Sequence, residues 1–181
     1  MRAAAIAAVL AAALFAGEAG PSRTSADRAA APEWSEVAWP FLLDAWPNGR
    51  AFRCQGGDCS GLAVYVRPKI GFCNCATGVD SDDEIDRVGD LYLLGDDYKA
   101  LAPGRPVEVG LLEGRTRPYL IPGRYRADRH ALGVAVAHRC DVLVATVVSE
   151  RPLSVPLQDA ALAMLATPPV LGWAAAKFGG S

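Results

Sequence analysis

Cys73-Asn74-Cys75 is the stretch of this sequence whose residue types and spacing most directly permit chemistry. In an extended chain, residues two apart project to the same side, so both sulfurs would face one way and could grip a soft metal such as Cu(I). The spacing permits that use without requiring it. Zinc sites show C-x₂₋₄-C pairs with further Cys or His, and redox enzymes show C-x-x-C; neither pattern occurs here. The same residues have a structural use, because Cys140 can pair with Cys73 or Cys75 and close a long loop, where the entropic stabilisation is larger. The chain has five cysteines. Cys54 and Cys59 flank the loop of an expected hairpin, where facing Cβ atoms come close enough to bond, so those two are expected to pair. One cysteine is then left over, free or paired with another chain.

The remaining candidates are ionisable. His130 and His138 are the two histidines, and eight residues along one strand would separate them by about 26 Å, too far to share an ion. Either could pair with a cysteine, but a nucleophilic pair needs a reduced thiol, which export disfavours, so solvated strand-end histidines are expected. The cluster Asp80, Asp82, Asp83, Glu84 and Asp86 has Ile85 and Leu91 where a calcium loop needs glycine and a bidentate glutamate. Helix capping accounts for most of it. Arg115, Arg117, Arg124 and Arg126, with Arg129 nearby, could form an anion-binding surface, against the plainer reading of a solvated face. No Gly-rich phosphate loop, G-x-S-x-G or H-E-x-x-H occurs.

These residues have to be carried by regular elements. Pro40 limits Glu33–Trp46 to a short helix at most, starting near that proline, with its three tryptophans in the core. Pro47-Asn48-Gly49 is a turn leading into a hairpin over Ala51–Val66. Pro68 should then mark an edge or a bulge before Ile70–Cys75 resumes as an extended segment. Ser81-Asp82-Asp83-Glu84 is a capping-box pattern, followed by Ile85, Val88 and Tyr92 at helical spacing, with Gly95-Asp96-Asp97 as the stop. The period then changes to two. Val107–Leu112, Arg117–Ile121, Leu132–His138 and Val142–Val148 read as strands, parted by Glu113-Gly114, Pro122-Gly123 and Arg139-Cys140-Asp141. Val142–Val148 is apolar on both faces and so belongs in the centre of the sheet. Pro156–Leu165 and Pro168–Phe178 read as two closing helices.

A single Arg2 precedes an apolar run from Ala3 to Ala16, too short for a comfortable membrane span. Gly17 and Ala19 supply the small residues that a cut after Ala19 requires. Residues 1–19 are therefore expected to be a signal peptide, 20–32 a flexible leader and 33–181 one domain, with no stable transmembrane span after cleavage. In the periplasm or outside the cell, cysteines read first as disulfides. A net charge of −2 over 181 residues argues against a nucleic-acid partner.

The segments WPF, DAWPNGRAFRC, VYVRPKIGFCNC, TGVDSDDEIDRV and RCD together resemble a group of uncharacterised exported bacterial proteins. GFCNC followed by the acidic helix start is the most specific part. That resemblance implies export and carries no activity with it. More loosely, the order of elements is similar to the Mog1/PsbP-like sandwich, a likeness of fold alone. The expectation is an α+β domain, an antiparallel sheet of about six strands with helices packed on it. Its expected role is that of a disulfide-stapled binding or accessory protein with a protein or small-molecule partner, without catalysis and without a cofactor. The alternative is a thiol-redox or copper-handling protein using Cys73 and Cys75. An enzyme built around His130, His138 or the acidic cluster is a third reading.

Overall fold

The computed structural model describes residues 32–123 and 125–178. The expected signal peptide, and the leader as far as Ala31, lie outside them. The architecture is α+β, with one antiparallel sheet of eight strands rather than about six. In chain order the elements are β1 (Trp34–Val37), β2 (Arg50–Cys54), β3 (Ala63–Lys69), α1 (Asp82–Val88), β4 (Lys99–Ala100), β5 (Arg105–Val109), β6 (Leu112–Ile121), β7 (Arg129–His138), β8 (Asp141–Ser149), α2 (Val155–Leu165) and α3 (Pro168–Ala175). The sheet runs β1-β2-β3-β8-β7-β6-β4, with β5 also on β6. Among the described residues no helix is long and apolar enough to cross a membrane.

β8 is buried along its whole length between β3 and β7. One face of the sheet carries Val64, Val66, Leu132, Val134, Val136, Leu143, Ala145 and Val147, which pack against Leu157, Ala161, Leu165 and Val170 of α2 and α3. Each such branched side chain taken out of water contributes on the order of 1.5–3 kcal/mol. Residues of opposite parity form the second face. Along β7 these are Ala131, Gly133, Ala135 and Ala137, all small. That row leaves room for α1, whose Ile85 and Val88 pack with Ala135, Val142 and Val144.

Several local expectations are revised. Residues 34–37 form an edge strand on β2, and no helix begins at Pro40. Pro68 lies inside β3, opposite Leu143. Cys54 N–H donates to the Leu62 carbonyl, so by antiparallel alternation the even residues of β3 address β2. Pro68 would next address position 48, beyond the end of β2 at Arg50, so its missing N–H interrupts no ladder. Ile70–Cys75 turns instead of extending, with Asn74 Oδ1 accepting from the amides of Ala76 and Thr77. α1 ends at Gly89, and Tyr92 sits in a following 3₁₀ turn, Leu91–Leu93. The β5–β6 hairpin turns at Gly110-Leu111, where Gly110 takes φ 64° as a two-residue loop demands, and Gly114 lies within β6.

Two disulfides staple the domain. Cys54–Cys59 closes the β2–β3 loop, and Cys75–Cys140 joins the segment before α1 to the β7–β8 turn, 65 residues further on. Loop-closure entropy makes the second the stronger constraint on the unfolded chain, about 4 kcal/mol against about 2 kcal/mol for the short loop. Urea unfolding of Cys75→Ser/Cys140→Ser and Cys54→Ser/Cys59→Ser should therefore show the larger loss in the former.

Candidate functional site

The second face of the sheet holds the chemistry. β3 places Tyr65, Arg67 and Lys69 on it at alternate positions. Arg67 and Lys69 are each 1% exposed, and Asp90, after α1, is 4% exposed. Arg67 Nε donates to Asp90 Oδ2 at 2.7 Å and Nη2 to Oδ1 at 2.8 Å. The other side of the same guanidinium donates through Nη1 and Nη2 to Asp44, both at 2.9 Å. Lys69 Nζ lies 2.7 Å from Asp90 Oδ1 and donates to the Val88 carbonyl at 2.7 Å. Tyr92 closes the group, accepting from Arg67 and donating to Asp44 at 2.8 Å.

Aromatic rings seal these charges. Lys69 Nζ stands 5.3 Å from the Phe72 ring, 5.5 Å from Trp46 and 5.8 Å from Tyr92, while Arg67 lies 5.8 Å from Trp39. Burial pushes the Lys69 ammonium below its ordinary value, with Asp90 opposing the shift. Burial also works against the charge on Arg67, but its bonds to Asp90 and Asp44 more than offset that and hold its pKa above the usual value. Tyr92 is pushed up to about 12 by burial and by its bond to Asp44. Asp44 is held well below the ordinary aspartate range, chiefly by Arg67.

The arginine run and the acidic cluster meet each other on this same face. β6 projects Arg115, Arg117 and Tyr119 toward Asp82 and Asp86, one turn apart on α1. Arg115 Nη2 donates to Asp82 at 2.7 Å, Arg117 Nη1 to Asp86 at 2.7 Å, and Tyr119 also donates to Asp86. Ser81 caps α1 by accepting from the Glu84 amide at 3.2 Å. The Glu84 carboxylate turns to Arg87 and the Asn74 amide instead of reaching back to Ser81. Among the described residues no three His, Cys, Asp or Glu side chains are placed to hold a metal ion.

Of the cysteine pair, Cys75 is bonded to Cys140 and Cys73 is a buried free thiol. Cys73 Sγ lies 3.3 Å from the Arg139 carbonyl and 3.2 Å from that of Asp141. Burial raises its pKa, and Glu84 and Asp141 add to the rise, which disfavours the thiolate. The histidines occupy opposite ends of β7. His138 stacks on Phe178 at 4.9 Å.

Arg126 belongs to a different place. It lines an open cleft of about 550 Å³ on the second face, together with Arg53 and Arg129. Arg124 lies outside the described residues. The floor is Ala63 and Val148, cross-strand partners whose modest side chains leave a depression. One wall is Tyr65, braced edge-on by Phe41 at 4.7 Å and Trp39 at 6.2 Å. The facing wall is the β6–β7 loop, where Gly123 approaches the chain so closely that a Cβ would meet the Arg126 carbonyl at 2.0 Å. Asp128 accepts from the Gly123 amide at 3.0 Å, and Arg129 donates to the Leu94 carbonyl. Arg53 and Arg126 have no carboxylate partner among the described residues, and the acid lining the cleft is Glu150. A larger cleft of about 930 Å³ beside Cys75 mixes Asp80, Glu108 and Glu113 with Arg115 and Arg139, so its charges offset one another.

Sequence reasoning missed both the buried Arg67–Asp90–Lys69 group and the part of Arg53 in this cleft, whereas Arg126 and Arg129 of the expected arginine surface do line it. The available signal was parity: in VYVRPK the two cations share a face with Tyr65, and a strand buried on both sides must neutralise them. Comparison with known families finds no family model that matches the chain, and comparison with curated proteins finds no match either.

Two outcomes follow from the buried group. Asp90→Ala leaves buried Lys69 without a carboxylate and Arg67 with Asp44 alone, and should cost about 3–5 kcal/mol in urea unfolding. The carboxylates of Asp44, Glu36 and Glu84 are all lowered in the fold, by Arg67, Arg50 and Arg87 respectively. The folded state therefore binds fewer protons in acid, so their stabilisation is complete above the ordinary values of 3.8 and 4.5 and is lost as pH falls below them. The urea midpoint should drop on acidification through that window, and drop less in Asp44→Asn.

Proposed function

We propose that this chain is an exported domain, stapled by two disulfides, that binds a partner without transforming it. The observation that carries this reading is the cleft between Tyr65 and the β6–β7 loop, whose walls are fixed by edge-to-face ring contacts and loop hydrogen bonds before any ligand arrives. Sites of this volume with an apolar floor and a few convergent polar groups are the usual form of a small-molecule site. The two disulfides accord with an oxidising compartment, the periplasm or beyond. Copper or thiol chemistry at Cys73 and Cys75 would require the Cys75–Cys140 bond to open first.

Intact mass spectrometry of the protein purified after export tests the compartment and the thiols together. The expected species starts at Gly20, gains the mass of four hydrogens on reduction, and has one thiol, Cys73, that alkylates only after unfolding. A native species with three free thiols, or with copper bound, would overturn the binding reading in favour of metal or thiol handling.

A further inference from the structure

We infer that the cleft over Ala63 and Val148 takes a small organic oxyanion, a carboxylate or phosphate carried on a flat apolar or aromatic body. This rests on the binding reading above and names the ligand class for that site.

The argument begins with charge. Arg53 on β2, Arg126 in the β6–β7 loop and Arg129 on β7 come from three separate elements and converge on one depression. Arg115 and Arg117, by contrast, are neutralised by α1. Arg129 is tethered to the Leu94 carbonyl, which orients it, and Arg53 and Arg126 retain donors for a ligand. Guanidinium presents paired N–H groups in the fork geometry that matches carboxylate and phosphate oxygens. With Glu150 as the single acid of the lining, the cleft carries an excess of two positive charges by residue type.

Shape supplies the second half. Tyr65 gives a ring wall beside the small floor residues Ala63 and Val148, which are 5% and 7% exposed, so a flat body would rest chiefly on the ring with only the edge of the floor beneath it. Tyr125, on the loop and 95% exposed, stands at the same cleft with its ring in solvent. An inorganic ion would use the arginines and leave the floor and rings uncovered. A neutral ring would use the floor and leave guanidinium groups desolvated without a partner, which is unfavourable. The ligand that satisfies both parts has an oxyanion at one end and an apolar face at the other.

The test is a titration of the purified exported protein followed by ¹⁵N-resolved NMR, which reports where each probe binds. The probes are benzoate, phenyl phosphate, inorganic phosphate, benzamide and benzylamine. Benzoate or phenyl phosphate should shift the amides of Arg53, Ala63 and Arg126 saturably, and the stronger of the two identifies the oxyanion. Inorganic phosphate and benzamide should each bind at least about tenfold more weakly, as the loss of floor contact or of a charge-assisted bond implies. Arg53→Gln and Arg126→Gln should each weaken the best probe by about tenfold or more, while Lys99→Gln, which removes a cation from the exposed edge strand β4, should leave it unchanged. Benzamide or benzylamine binding at the cleft as tightly as benzoate would overturn the ligand class and leave the binding reading standing. Amides around the cleft that respond to none of the five probes would overturn both.

Discussion

The bidentate bond between Arg67 and Asp90 is the interaction on which the second face of the sheet depends. It joins the central strand β3 to the chain just beyond α1, and both partners are nearly without solvent. Ions in such a setting are costly to desolvate and hold together only if nearly every donor and acceptor is used. Here Arg67 uses Nε, Nη1 and Nη2, Asp90 also accepts Lys69, and Asp44 fills the remaining side of the guanidinium. The arrangement fixes geometry rather than adding much net stability, because a well-packed apolar replacement could do as well energetically. Its effect is to bring residues 38–47 and 89–94 down onto the sheet in one register.

That placement is what gives the cleft its form. The 38–47 segment, held by Asp44, supplies Trp39 and Phe41, which brace Tyr65. The 89–94 segment, held by Asp90, ends at Leu94, whose carbonyl receives Arg129. On the neighbouring strands, Asp82 and Asp86 take up Arg115 and Arg117 and settle α1 over the small residues of β7. Two ionic systems thus lie side by side on one face, both closed among protein groups, while Arg53 and Arg126 line the neighbouring cleft with no carboxylate partner among the described residues.

Much of the fold was legible because period and capping are local. The strands β7 and β8, the second half of β6, the two closing helices, the Ser81 cap and the central place of Val142–Val148 all follow from residue pattern alone. Eight strands stand where about six were expected, partly because β1 and β4 are four and two residues long, with too little alternation to register. Pro40 and the three tryptophans give residues 33–46 the composition of a core-packed turn or short helix, which masks β1. The Arg67–Asp90 pair was hidden for a different reason. Pro68 suggests an edge or a bulge, and nothing in the spacing of its flanking cations Arg67 and Lys69 points to a carboxylate more than twenty residues further on. The run Arg115–Arg129 read as one surface, although β6 and the loop after it send Arg117 and Arg126 to different neighbours. Long-range pairing of charges has no signature in spacing along a chain.

The dependence of this face on Arg67 is most directly tested by hydrogen exchange at its Nε–H, resolved by NMR. If the guanidinium is locked between Asp90 and Asp44, that proton should exchange only through opening of the domain, with protection comparable to the slowest β8 amides. Exchange at the rate of a solvated arginine would show that the buried ionic group does not hold, and the structural account built on it would fail.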